Sequence, residues 1–99
     1  KNTNMKKTKG LVLRQLGTES IIIAESLDLI DFDRLVSLNA PAAYIWESLP
    51  DPQNESFPDF DLGTITHLLT TRYDVEEATA RKDAEELIAI WLKAGIIIP

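Results

Sequence analysis

The sequence contains no cysteine, and His67 is its only histidine. Without a thiol, the chain can form no disulfide, no zinc-thiolate or iron–sulfur site and no cysteine nucleophile. A single histidine also excludes a metal face built from two histidines, and we expect His67 to lie on the surface. Because the lack of cysteine fits a reducing compartment, we predict a cytoplasmic protein.

Glycine is scarce, and the chain has no long apolar run. Its four glycines stand apart, so no glycine-rich loop is available to bind phosphate. The acidic segment 51–61 lacks the spacing of a calcium-binding loop. The basic N terminus is not followed by an apolar stretch long enough for an export signal or a membrane span. We therefore predict a protein that is not an enzyme, needs no metal or cofactor and does not enter a membrane.

The sequence does contain enough apolar residues for one domain, together with a strong excess of acid. Hydrophobic residues make up 44% of the 99 residues, which suffices for a single core. From residue 15 onward, five basic residues face sixteen acidic ones, so the body of the domain should repel nucleic acid. The first fourteen residues hold the other basic residues: Lys1, Lys6, Lys7, Lys9 and Arg14. We interpret residues 1–8 as a disordered basic tail and residues 9–99 as the domain.

The first half of the domain has the pattern of a small antiparallel sheet. An apolar-rich run, Leu11–Leu16, is followed by the turn residues Gly17 and Thr18 and by the β-branched block Ile21–Ile23, which together predict a hairpin. A third run, Arg34–Leu38, follows an acidic connection. Since an isolated hairpin is marginal in water, we expect three antiparallel strands.

The second half has helical periodicity. Asn39 is placed to cap a first helix, with Pro41 in its first turn and Pro50 beyond its end, and its apolar stripe consists of Ala42, Ile45, Trp46 and Leu49. After a loop over residues 50–60, Asp61 is placed to cap a second helix that ends near Tyr73.

A third helix is the clearest element. Asp74 and Glu77 have the spacing of a capping box, and Gly95 has the position of a helix stop. Its predicted apolar stripe consists of Ala84, Leu87, Ile88, Trp91 and Leu92. The fold class is therefore α+β and winged-helix-like, with a three-stranded antiparallel sheet followed by a three-helix bundle.

Three large apolar residues allow more than one role. Trp46 and Trp91 both fall on apolar stripes, so we predict that they pack in the core. Ile90 lies where the stripe predicts a polar residue. It is either an irregular core contact or an exposed apolar anchor for a partner.

Several short motifs, taken in order, resemble the PqqD-like family, named for protein D of pyrroloquinoline quinone synthesis. The first are Val36 with Leu38-Asn39 and the helix sequence Ile45-Trp46-Glu47. Further matches are Ile65, Leu68, Leu69, Tyr73, Asp74 and Val75, and then Asp83, Leu87, Ile88, Leu92 and Ala94-Gly95-Ile96. The resemblance covers residues 11–97. The chain departs from the family pattern at Ala40-Pro41, where an acid and a threonine are usual, and in residues 50–60, which look like an insertion.

The resemblance implies a binding function. Proteins of this family recognise the leader of a ribosomally made precursor peptide and present it to a modifying enzyme, typically a radical S-adenosylmethionine enzyme. The leader adds as a strand to the third strand of the sheet, beside the third helix. Carried onto this chain, the implied peptide-binding residues are Arg34, Leu35, Val36 and Ser37 on the strand and Asp83, Leu87, Ile90 and Trp91 on the helix.

Two alternatives belong to other classes. One is a winged-helix regulator that binds DNA, although acids outnumber bases on its recognition helix. The other is a structural or oligomerisation module, a homodimer in which Ile90, Trp91 and Ile96–Ile98 bury against a second copy.

Overall fold

The computed structural model describes residues 4–24, 36–52, 56 and 59–99. Its elements, in chain order, are β1 (Lys6–Lys7), β2 (Leu11–Leu16), β3 (Glu19–Ala24), β4 (Val36–Leu38), α1 (Ala40–Ser48), α2 (Leu62–Arg72), α3 (Glu77–Ala94) and β5 (Ile97–Ile98). The predicted α+β fold, a three-stranded antiparallel sheet followed by three helices, is confirmed. None of the helices described is long and apolar enough to cross a membrane.

The three-stranded sheet has the order β2-β3-β4, and both pairings are antiparallel. Gly17, with φ +65°, lies in the tight turn between β2 and β3, where the left-handed backbone favours glycine. Ile22 is opposite Leu13 on one side and Val36 on the other. This order places β4 at an edge of the sheet.

The first two helices begin at the predicted caps. The Ala42 N–H donates to the Asn39 side chain at 3.0 Å, and Pro41 lies in the first turn. At α2, the Thr64 N–H donates to Asp61 at 3.0 Å while the Asp61 N–H donates to the Thr64 hydroxyl at 3.3 Å. These reciprocal bonds form a capping box in which threonine takes the place usual for Glu or Gln.

The predicted capping box at the start of α3 is wrong. The helix begins at Glu77, its N-cap is Glu76, and no side chain caps it. Tyr73 ends α2 in an extended conformation, and the Val75 N–H donates to the Tyr73 carbonyl at 3.0 Å. Asp74 therefore belongs to the turn between the helices. The predicted stop at Gly95 is confirmed, with φ +83°.

The core lies between the sheet and the helices and is built around two indoles. The rings of Trp46 and Trp91 meet edge to face, with centroids 5.3 Å apart and an interplanar angle of 85°. Both residues are buried, as predicted. The predicted α1 stripe is buried throughout, whereas Leu92 of the α3 stripe is 40% exposed, so its assignment to the core is wrong.

From Met5 onward, the N-terminal segment is part of the fold, whereas the sequence predicted a disordered tail. Met5 is buried and exchanges backbone hydrogen bonds of 2.7 and 2.9 Å with Phe60, which is also buried. β1 then pairs antiparallel with β5, joining the two ends of the chain. Composition could not predict this pairing because the strand has only two residues, both lysine. Residues 1–3 lie outside the described residues.

Candidate functional site

One edge of β4 is unpaired within the part of the chain that the structure describes. β3 occupies the other edge, and β4 is last in the order of its sheet. Along an antiparallel edge strand, alternate residues direct both their N–H and C=O groups away from the sheet. Val36 is partly buried against the core and Ser37 is exposed. The other two strand residues implied by the resemblance, Arg34 and Leu35, lie outside the described residues.

A groove of about 280 Å³ lies next to the end of β4. We call it the α3 groove, and it is lined by Asn39, Pro41, Ala42, Ile45, Leu69, Asp83, Glu86, Leu87 and Ile90. Its lining on α3 is one continuous stripe, since positions i, i+3, i+4 and i+7 share a helix face. Asn39 directly follows β4, so the groove begins where that strand ends.

The structure places three of the four predicted helix residues in this groove. Asp83, Leu87 and Ile90 line it, whereas Trp91 does not. Trp91 is only 1% exposed and packs against Trp46. Position 91 is about 100° around the helix from position 90, because an α-helix has 3.6 residues per turn. The indole therefore faces the core while its neighbour faces the groove.

Ile90 is an exposed apolar residue and not an irregular core contact. Its exposed fraction is 60%, the largest among the exposed large hydrophobic residues of the described chain. Leu87, one turn earlier, is partly buried against the core. The two side chains form the apolar end of the groove, where Ile90 has apolar surface that a partner could bury.

Glu86 lines the groove but is missing from the residues that the resemblance implied. It lies three residues after Asp83, and that spacing was a signal in the sequence that would have identified it. The acidic end of the groove thus holds two carboxylates. Within the described residues, the nearest charge pair on the helix is Arg81 with Glu85, at 4.0 Å, and both of these side chains are well exposed.

A separate cavity of about 660 Å³ lies on the side of the sheet formed by β2. It is lined by Lys7, Leu11, Val12, Leu13, Trp46, Glu47, Ser48, Leu49, Pro50 and Asp51. The Lys7 ammonium lies 4.6 Å from the centroid of the Trp46 ring. Burial lowers the pKa of Lys7 from its ordinary value, while the negative charges of Asp51 and Glu47 act in the opposite direction. These contacts attach β1 to α1.

The described ends of the 50–60 loop both lie close to β1. Pro50 and Asp51 line the cavity of about 660 Å³ together with Lys7 of β1, and Phe60 pairs with Met5, the residue before β1. Residues 53–55 and 57–58 lie outside the described residues.

The opposite side of α3 forms a second concavity along that helix, of about 630 Å³. It is lined by Asn4, Met5, Leu62, Glu85, Ile88, Leu92 and Pro99. Ile98 is also exposed, at 45%. α3 is therefore accessible on two faces, one formed by the α3 groove and one by this second concavity.

His67 is exposed on α2, as predicted, and its Nε2 lies 3.4 Å from the Thr71 hydroxyl. Among the residues described, no three histidine or acidic side chains come together in the way a metal site requires.

A family model described as coenzyme PQQ synthesis protein D matches residues 13–97. The match spans most of the chain and includes both β4 and α3. Searches of curated proteins and of solved structures gave no match.

Proposed function

Because this chain belongs to the PqqD family, we propose that it binds the leader of a ribosomally made precursor peptide and presents it to a modifying enzyme of the radical S-adenosylmethionine class. The observation that carries the proposal is the edge of β4 that no described strand pairs with, on a strand whose end meets the α3 groove. Both features fall within the residues that the family model matches.

An unpaired edge strand suits the recognition of an extended peptide. Its outward N–H and C=O groups can pair with the backbone of any extended chain, and neighbouring side-chain pockets select the sequence. Here Val36–Leu38 would supply the backbone pairing. The α3 groove would accept the side chains that the peptide directs toward the helices.

The expected affinity is moderate. About four added backbone hydrogen bonds contribute roughly 1 kcal/mol each, and one or two apolar anchors contribute about 2 kcal/mol each. Ordering a flexible peptide opposes these gains. The balance corresponds to dissociation constants around micromolar. Such binding suits a protein that must release the peptide after modification. Separately, a substrate made by the ribosome suits a protein located in the cytoplasm.

Most of the residues that the homodimer alternative requires at its interface are buried inside the monomer. Trp91, Ile96 and Ile97 are each at most 1% exposed because they pack inside the monomer. Only Ile90 and Ile98 of that set are exposed. The remaining area is small compared with the roughly 800 Å² per partner of a standard interface.

The DNA-binding alternative would require α3 to approach phosphate groups. Both charged residues that α3 contributes to the groove are acidic, and helix and groove belong to a chain of net charge −6. Because like charges repel, this helix is poorly suited to lie in a DNA groove. A gel-shift titration at low salt tests that alternative directly, and we expect no shift.

The leader proposal is tested by an NMR titration of the ¹⁵N-labelled chain with the precursor peptide encoded beside its gene. We expect the largest amide shifts at Val36–Leu38 and along residues 83–90, because those residues contact the added strand. A matched peptide with alternate backbone amides N-methylated should bind far more weakly, since it cannot complete the ladder. Unchanged spectra at high peptide excess would reject the proposal, and so would equal binding of both peptides.

A further inference from the structure

The α3 groove combines two different surfaces along one helix face. Asp83 and Glu86 form its acidic end, and Leu87 and Ile90 form its apolar end. With a rise of about 1.5 Å per residue, each acid lies about 6 Å along the helix axis from the apolar residue four positions later. Side chains on one face of an extended peptide repeat every 6.6–6.8 Å or so. The two spacings are therefore similar for an extended peptide that runs along α3.

The two carboxylates are not neutralised by other side chains in the part of the chain that is described. No described Lys or Arg side chain comes within 4.0 Å of either one, and both residues are exposed. Lys82 lies one turn before Glu86 on the helix but makes no ion pair with it. The acidic end of the groove therefore remains available to a positive charge from outside.

The N terminus of α1 also faces the groove and has the opposite polarity. Its partial positive charge is about half a unit, which is less than the two full charges of Asp83 and Glu86. The free N–H groups at this helix end are also reduced in number, because the Ala42 N–H donates to the Asn39 side chain and Pro41 has no N–H. The electrostatic character of the groove is therefore set by the acids.

We propose that the peptide taken by this groove carries a lysine or arginine two residues from a bulky apolar residue, on the same face of the added strand. This inference rests on the proposed function and specifies its ligand. The apolar side chain packs on Leu87 and Ile90, and the cation lies against Asp83 and Glu86. A long basic side chain can absorb a mismatch of a few ångströms between the two spacings.

The size of the effect follows from the exposure of both acids. Exposed ion pairs strengthen association by about two- to fivefold for each carboxylate at low salt. Screening should remove most of that gain in about 0.5 M salt, where the Debye length is only a few ångströms. The basic residue therefore selects among peptides, while the apolar anchor and the backbone ladder provide most of the affinity.

The test is a selection from a display library of fifteen-residue peptides with random sequences, using the full chain as bait. We expect enrichment of peptides with Lys or Arg two positions from Leu, Ile or Phe. For an enriched peptide, the D83N/E86Q variant should bind about 4- to 25-fold more weakly at low salt, which corresponds to the loss of two exposed ion pairs. The variant E77Q/E85Q is the matched control, because it removes two charges from the same helix outside the groove.

Three outcomes separate this inference from the proposed function. Basic enrichment together with a loss specific to D83N/E86Q supports both. In the second outcome, the enriched peptides shift the amides of β4 but lack basic residues, and they bind D83N/E86Q as well as the parent. That result would overturn the charge inference alone. Failure to enrich any peptide that perturbs β4 and α3 would overturn the proposed function as well. Thermal melts of each variant confirm that the fold is retained.

Discussion

At the residue scale, adjacent positions on α3 have opposite environments. Ile90 is 60% exposed in the α3 groove, while Trp91 is 1% exposed in the core. Substitutions at the two sites should therefore affect different properties. A change at Trp91 acts through stability, because a buried indole packs against Trp46. A change at Ile90 acts through binding, because its side chain faces solvent.

We predict that Ile90→Ala weakens leader binding by about tenfold, since the apolar contact of a large aliphatic side chain is worth about 1–2 kcal/mol. Stability should change by less than about 0.5 kcal/mol, as for most exposed sites. Calorimetric titration with the peptide and urea unfolding measure the two effects.

The matched control for this prediction is Leu92→Ala. Leu92 is 40% exposed on the other accessible face of α3, beside the second concavity. Both proteins should be as stable as the parent, but only Ile90→Ala should lose peptide affinity. Equal losses from the two substitutions would show that the peptide does not distinguish the two faces of the helix.

At the element scale, α2 and α3 begin in different ways, although the sequence predicts an aspartate N-cap for both helices. Asp61 caps α2 through a reciprocal pair with Thr64, whereas Asp74 lies in the turn before α3 and caps nothing. Capping needs an extended residue directly before the first helical turn. The geometry of the connection between two helices determines where that residue falls, and the spacing of acids alone does not.

We predict that Asp61→Ala lowers the free energy of unfolding by about 1 kcal/mol, the typical cost of losing an N-cap. Asp74→Ala should change it by less than about 0.5 kcal/mol, as expected for an exposed turn residue. Urea denaturation at neutral pH compares the two variants. An equal or larger loss at Asp74 would show that it caps α3 in solution.

The contribution of Asp61 should also depend on pH. The Thr64 backbone N–H is the main cause that lowers the pKa of this carboxyl below its ordinary value of 3.8. A carboxyl whose pKa is lowered in the folded state stabilises the fold at any pH above its ordinary pKa. That contribution is lost as the pH falls through the lowered pKa of the folded state. The difference in stability between the parent and Asp61→Ala should therefore narrow as the pH is taken below 3.8.

At the scale of the whole molecule, the two ends of the chain close the domain together. β1 pairs with β5, the Thr8 hydroxyl donates to the Gly95 carbonyl, and Met5 lies in the core. This arrangement leaves the unpaired edge of β4 as part of a separate strand system. The described N-terminal residues, from Met5 to Thr8, therefore support the fold without occupying the edge that we propose for the peptide.

We predict that Met5→Ala lowers the free energy of unfolding by about 2–4 kcal/mol, because it removes a buried side chain and leaves a cavity. Lys6→Ala is the matched control, since Lys6 is the exposed neighbour in β1, and we expect it to change stability by less than about 0.5 kcal/mol. Chemical denaturation measures both. Similar small effects for the two variants would mean that the segment is a tail in solution.

The sequence by itself determined the three strands of the main sheet and the three helices that follow, the caps at Asn39 and Asp61 and the stop at Gly95, because hydrophobic period and capping chemistry are local properties. Its motifs also indicated the family. Only the tertiary structure decided that Met5 is buried, that Asp74 belongs to a turn, and that Ile90 lies exposed in the groove and not in the core. These outcomes depend on which helix face meets which neighbour, and residues distant in sequence set that orientation.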